Sequence, residues 1–354
     1  MRRLATMLCA AVMAFSAMAG AFAADGKGDT IYFLHKGLDY YAWVAMQEQF
    51  VKYAKDNNYK FEILNAENDA ANQVNQFKTV LTQNPKAIIT TAIDSESLIE
   101  CVKEANAMGV PVGVFDTPIT GGDIVITVDC DNVMAGKQAA ELIVEALAEK
   151  NGAVKGKVLN VYGDQASQVM RERKQGFDDV MKLYPQIEVI ETVGYGDRLK
   201  SQDATANAFA KHGYIDAVHA PCDNAGYGLY EAMLASNNVK KVGEAGHVIF
   251  VSIDGEPLMQ DRILEGFIDA GVNLDWHAVG SICLEMMDKY TFKGQPIPKG
   301  DYKSDFFTWG STPIKTGPWG GPWISLPTHK ITKDNANDPK SAGRYSANVL
   351  NIKY

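Results

Sequence analysis

Apolar and polar positions along this chain follow two periods that take turns. Compact apolar runs give way to stretches with an apolar residue every third or fourth position, then return. The runs predict strands at Thr30–His35, Phe61–Leu64, Ala87–Ile93, Val112–Phe115 and Ile124–Val128. Between them the helical period predicts Tyr40–Asn57, with Trp43, Met46, Phe50 and Tyr53 on one face and Asp39 as N-cap. Further helices are expected over Ala70–Gln83, Glu96–Met108 behind Asp94, and Asn132–Lys150. The second half repeats the rhythm. Strands are expected at Lys157–Tyr162, Ile187–Val193, Ile215–Ala220, Val248–Ile253 and Phe267–Val272. Helices are expected at Met170–Leu183, Ser201–Lys211, Asp223–Ser236, Pro257–Glu265 and Trp276–Tyr290.

Ala87–Ile93 is apolar and Thr throughout, as a parallel strand buried on both faces requires. Strands alternating with helices imply an α/β fold, with parallel sheets and right-handed crossovers. The strands are too many for one compact unit, so two doubly wound domains are expected. An internal echo agrees: Ala87–Ser97 (strand, Asp94, helix) resembles Ala217–Ala225 (strand, Asp223, helix). From Lys293 the pattern fails. The tail is rich in Gly, Pro and Trp (Trp309, Trp319, Trp323) and polar from Thr332. It is expected to be irregular chain on the surface of one domain, its tryptophans packing rather than touching a ligand.

The amino terminus changes the picture. Met1-Arg2-Arg3, an apolar run from Leu4 to Met18, and Ala21-Phe22-Ala23 form a secretory signal, with cleavage expected after Ala23. No later run has spanning length. Losing Arg2 and Arg3 takes the formal net charge from −9 to −11. An acidic chain repels nucleic acid and anionic membranes, so neither is expected as a partner. Cys101, Cys130, Cys222 and Cys283 are widely spaced, which leaves both one disulfide and buried thiols open.

Motifs for covalent or metal chemistry are missing. There is no phosphate-cradling GxxxxGK[ST], no HExxH and no GxSxG, and Gly194-x-Gly196 lacks the third glycine of a dinucleotide loop. The histidines have no ligand spacing, and Asp129-Cys130-Asp131-Asn132 reads as a strand followed by a helix cap. No enzyme, cofactor or metal is expected, a periplasmic sugar-processing enzyme standing only as a remote alternative.

What remains is polar residues placed after strands: Asp116, Asp223, Asp254 and Asn273, with Arg171 after the Lys157 strand. Singly, each is an ordinary helix cap or loop residue. Together, at carboxyl ends in two domains, they describe a cleft of acceptors with one fork donor. That suits a polyhydroxylated ligand, because carboxylates accept from hydroxyls and a guanidinium donates in a fixed plane. Tyr40, Tyr41 and Trp43 could cover apolar faces of a sugar ring, with core packing the competitor for Trp43. In Val169–Asp178, Arg171 and Arg173 do not share a helix face; Arg171 is expected at the ligand and Arg173 in a pair within its own domain.

Gly109-Val-Pro-Val-Gly-Val-Phe-Asp116, Val128-Asp-Cys-Asp-Asn132, Arg171-Glu-Arg-Lys-Gln-Gly-Phe177, Ala217–Asp223 and Val251-Ser-Ile-Asp-Gly255 carry a resemblance over Thr30–Gly294. The chain resembles the ribose-type periplasmic sugar-binding proteins of ATP-driven (ABC) uptake systems. The resemblance implies two Rossmann-like lobes joined by three crossings, the type I periplasmic binding fold. It places residues 24–129 and about 276–304 in the first lobe, and 130–275 and about 305–354 in the second. The crossings would fall near Val128–Asp131, Gly271–Asp275 and Asp301–Phe307. By similarity Asp116, Arg171, Asp254 and Asn273 match sugar-contact positions. Some residues depart from the pattern. Tyr40-Tyr41-Ala42-Trp43 stands for the usual Asn-Pro-Phe-Phe, Cys222 replaces a common Asn, and Thr117 stands where ribose binders often have Arg. Phe33-Leu-His-Lys36 and the long tail are more similar to rhamnose and furanosyl-autoinducer binders, where matches of Lys36 and Pro221 contact ligand. The expectation is therefore a monomeric periplasmic receptor for a monosaccharide or sugar alcohol that delivers it to an ABC permease. A furanosyl autoinducer or deoxysugar is the alternative ligand, and chemotaxis or a sensor kinase the alternative output.

Overall fold

The computed structural model describes residues 28–307 and 309–354. The expected export signal and its cleavage point after Ala23 lie outside the described residues. Five strands, β1 (Thr30–His35), β2 (Lys60–Asn65), β3 (Ala87–Thr90), β4 (Val112–Phe115) and β5 (Ile126–Cys130), form a parallel sheet in the order β2-β1-β3-β4-β5. A second set, β6 (Gly156–Tyr162), β7 (Ile187–Val193), β8 (Ala217–Ala220), β9 (Ile249–Asp254) and β10 (Ala270–Asn273), repeats it as β7-β6-β8-β9-β10. Both are the doubly wound order in which the chain reverses direction beside the first strand. Ligands of such sheets sit beyond the carboxyl ends at that switch point. The two segments that echo each other in sequence contain β3 and β8, which hold equivalent places.

Helices α1 (Tyr41–Asp56), α2 (Ala70–Leu81), α3 (Ile99–Ala107) and α4 (Asn132–Asn151) follow strands of the first half. In the second half come α5 (Gln168–Met181), α6 (Arg198–His212), α7 (Asp223–Ala235), α8 (Pro257–Glu265) and α9 (Val279–Lys289). After β10 the chain returns to the first lobe, where α9 packs on α1, β4 and β5. The α1 helix buries Ala42, Ala45, Met46, Phe50 and Ala54, while Trp43 and Tyr53 are only partly covered. Asp39 is not its cap. The cap position is Tyr40, and Asp39 accepts from Asn68 Nδ2 at 3.0 Å. The start of α1 is served from the other lobe instead: the Ala42 amide donates to Glu256 Oε1 at 2.9 Å.

Helices α4 and α5 touch backbone to backbone. A Cβ on Gly136 would lie 2.0 Å from the Arg173 carbonyl oxygen, and one on Gly176 would lie 2.0 Å from that of Val133. Glycine at both positions lets the helices cross this closely, which fixes where α5 delivers its side chains.

The tail differs from expectation. It is not irregular, and it is shared by the lobes. The strands β11 (Gly300–Lys303), β12 (Ser311–Thr316) and β13 (Pro322–Leu326) extend the first sheet, β13 lying parallel to β5 and the other two antiparallel. Next, β14 (His329–Ile331) adds antiparallel to β10 in the second sheet, and α10 (Ala342–Asn348) packs on α8. The chain therefore crosses between sheets at Cys130–Asn132, at Asn273–Trp276 and between Leu326 and His329. The third crossing is not at Asp301–Phe307, and residues 311–326 belong with the first sheet rather than the second lobe. These strands are half-buried: Thr312 and Ile314 alternate inward, as do Ile324 and Leu326. Such short alternations between glycines and prolines carry little periodic signal.

Candidate functional site

The carboxyl ends of the two sheets face each other across a small cavity of about 40 Å³. Its polar lining includes Lys36, Asp116 and Thr117 from the first lobe, with Asn132, Ser167, Arg173 and Asp254 from the second. Tyr40, Trp43, Met170 and Trp276 supply much of the apolar wall.

Asp116 follows β4 directly. Its backbone is left-handed (φ 56°), and its amide donates to the Val128 carbonyl at 2.9 Å. Its Oδ2 accepts from Lys36 Nζ at 2.5 Å and Thr117 Oγ1 at 3.1 Å. Burial disfavours the carboxylate, but Lys36, with Arg173 behind it, holds its pKa below the ordinary value. Asp116 is thus an anion on the cavity wall. Lys36 also donates to Thr117 Oγ1 at 2.8 Å and lies 5.1 Å from the Trp43 ring centre.

Asp254 ends β9 with φ 124°, a conformation that side chains rarely adopt. Strain of this kind costs on the order of 1–3 kcal/mol and gathers at binding sites. Its Oδ1 is 3.1 Å from Arg173 Nη1. Arg173 is 4% exposed; its Nε donates to Asn132 Oδ1 at 3.0 Å and its Nη1 to the Pro221 carbonyl at 2.6 Å. Among the described residues its Nη2 meets no acceptor, which leaves that amino group for a ligand.

Around this pair sits a buried acidic group. Burial, relieved in part by Arg173, raises the Asp254 carboxyl to about 6. Burial raises Glu256 to about 8, with Asp254 adding to the shift. Asp223 is pushed well above the usual range by burial and by Asp254 and Glu256. One guanidinium does not neutralise three buried carboxyls, so proton uptake supplies the rest.

Several expected residues lie elsewhere. Arg171 points away from the cavity: it donates to the Gln165 carbonyl, and its Nη2 to Gln168 Oε1 at 2.7 Å. Arg173 does pair within its own lobe, as expected, yet it also lines the cavity. Tyr41 turns to the tail, donating to the Ile352 carbonyl at 3.3 Å and meeting Trp276 and Tyr354 edge-on. Pro221 contributes its carbonyl to Arg173, not its ring to the cavity. Cys222 is buried with Sγ 3.7 Å from the Gly196 carbonyl, and burial raises its thiol to about 12. Asp223 lies behind Asp254, accepting from Ser252 Oγ at 2.5 Å and the Glu256 amide at 2.6 Å. Asn273 holds the tail through the Ala342 amide at 3.1 Å. Lys36, Tyr40, Trp43, Asp116 and Asp254 are brought together. Arg173, Asn132, Met170, Thr117 and Trp276 are among the lining residues that sequence reasoning did not select.

Two contacts between lobes border the cavity besides Glu256–Ala42. The Gln168 amide donates to Ser95 Oγ at 3.0 Å, and the Ser95 amide donates to the Ala166 carbonyl at 3.3 Å. The tail tryptophans serve the hinge: Trp323 Nε1 donates to Asp129 Oδ1 at 2.8 Å and Trp309 Nε1 to Asp275 Oδ2 at 2.9 Å. All four cysteines in the described residues are free and buried.

Residues 31–295 match a family model described as periplasmic binding protein domain. The ribose import binding protein of Salmonella typhimurium is 26% identical over 297 residues, covering 84% of this chain and 95% of that protein. A xylitol-binding protein of Mycolicibacterium smegmatis is 29% identical over 206 residues, covering 57% of this chain and 55% of its own. Among solved structures, a galactofuranose binding protein superposes with a TM-score of 0.74 at 21% identity, covering 88% of this chain and 97% of the other. That likeness carries the fold alone.

Proposed function

Because the chain belongs to the periplasmic binding protein family, we propose that it captures one monosaccharide or sugar alcohol between its lobes and delivers it to an ABC permease. The observation that carries this reading is the convergence of Asp116 from the first lobe with Arg173 and Asp254 from the second on one interlobe cavity. Ribose and xylitol, the ligands named for two relatives, are both runs of adjacent hydroxyls. Such a ligand donates to Asp116 and accepts from Arg173 Nη2, whereas aromatic and apolar walls meet its C–H faces. The 40 Å³ cavity is smaller than a sugar, so side chains and lobes must shift to admit one. All the hydrogen bonds form only when both lobes hold the ligand, which favours the closed arrangement. The protein works as a monomer in the periplasm and changes no covalent bond. A furanosyl ligand is the second reading, favoured by Lys36 on the cavity wall beside Asp116.

Thermal melting against ribose, allose, arabinose, galactose, rhamnose, xylitol and myo-inositol tests this directly. A ligand at a hundredfold its Kd adds about 2.7 kcal/mol of stability, so the true ligand class should raise the Tm by several degrees. A flat response to every sugar and polyol would overturn the reading.

A further inference from the structure

A second, larger chamber of about 220 Å³ opens outward from the first. The two share Lys36, Trp43, Ser167 and Met170 as walls. The outer chamber is also an interlobe space: Asp39 and Asn68 come from the first lobe, Asp164, Tyr195, Lys200 and Asn224 from the second.

Tyr195 is the unusual wall. It sits between Gly194 and Gly196 in the turn from β7 to α6, with a left-handed backbone (φ 59°) that a bulky side chain seldom adopts. Neither glycine neighbour is free to vary. A Cβ on Gly194 would fall 2.3 Å from Ser201 Oγ, and Gly196 is itself left-handed (φ 72°). The turn thus projects an aromatic ring that is 49% exposed, against a chamber rather than into a core. Lys200 Nζ lies 4.8 Å from the ring centre and has no carboxylate partner among the described residues. Asn224 donates to the Gly196 carbonyl at 2.9 Å, holding the turn while its amide oxygen stays available. An exposed aromatic flanked by amides and charges of both signs is the chemistry that receives a sugar face and its hydroxyls.

We infer that this chamber is a second subsite, and that the ligand is longer than one ring: a disaccharide or glycoside whose outer unit lies against Tyr195. The inference rests on the sugar-binding reading and revises its single-ring ligand to a two-unit one. The inner unit meets Asp116, Arg173 and Asp254; the outer unit meets Tyr195, Lys200 and Asn224. Strain at Tyr195 is retained because the ring must face the cleft.

Calorimetry would compare xylobiose with xylose, arabinobiose with arabinose, and lactose and melibiose with galactose, on wild type, Tyr195→Ala and Tyr195→Gly. At least one disaccharide should bind wild type ten-fold or more tightly than its monosaccharide. Both variants should erase that advantage and leave monosaccharide affinity unchanged, Tyr195→Gly showing that relief of backbone strain is not the cause. Monosaccharides binding while every disaccharide binds more weakly would overturn the subsite and keep the sugar-binding reading. Equal losses for both ligand sizes would assign Tyr195 to the turn alone and also overturn it. No binding of either class would remove the sugar-binding reading, and the subsite with it.

Discussion

Arg171 and Arg173 leave α5 in directions about 200° apart, since each residue turns the helix by about 100°. That separation was legible in the sequence, and so was the pairing of Arg173 within its own lobe; that Arg173 rather than Arg171 lines the cavity was not. The deciding signal is the stripe Val169, Arg173, Gly176, Phe177 and Val180, all buried, spaced as one helix face. A charge inside an apolar stripe has to be paired and working, whereas Arg171 lies off the stripe. Arg173→Met should therefore cost about 3–5 kcal/mol in urea unfolding, the range for stranding a buried charge, and abolish sugar binding. Arg171→Met should cost about 1 kcal/mol or less and keep affinity. Glu256 gives a pH test of its own. An unfolded glutamate protonates near its ordinary 4.5, and burial raises the folded group to about 8. Between those values the folded protein holds more proton, so this contribution to stability is full below pH 4.5 and is lost as pH rises through about 8. Thermal melts should fall across that window, and Glu256→Gln should flatten the fall.

At the scale of elements, the ten strands of the two parallel sheets were readable because short segments rich in apolar and β-branched residues alternate with stretches of helical period. The tail strands were not, since their pattern is short, half-buried and broken by Gly and Pro. Asp39 shows a different limit. A cap is readable only when helix and cap are local, and the start of α1 is met by Glu256 from the other lobe. The α4–α5 crossing makes a third case, because no single-residue rule announces Gly136 and Gly176 as partners. Gly176→Ala would set its new methyl against the Val133 carbonyl and force the helices apart. A loss of about 1–3 kcal/mol is expected in denaturant unfolding, together with weaker sugar binding because Arg173 rides on the same helix.

For the whole molecule, two copies of one sheet order face each other, and the hinge is three chain crossings, two of them braced by tail tryptophans on Asp129 and Asp275. The contacts of Ser95 with Ala166 and Gln168 and of Glu256 with Ala42 exist only while the lobes are close. Small-angle scattering should show contraction when a bound sugar is added to wild type and none for Arg173→Met. A variant that contracts at the same sugar concentration would take Arg173 out of the closure.

The placement of β13 and β14 has a consequence for how the protein is made. The first sheet receives β13 at 322–326 and the second its edge strand β14 at 329–331, so neither sheet has its full set of strands until residue 331 has been made. The segment that completes both sheets is also the one that ties them together. A nascent chain stalled before residue 322 carries two unfinished sheets, with β5 and β10 as open edges ready to pair with another chain. The order of synthesis thus delays completion of both sheets to one short stretch, residues 322–331.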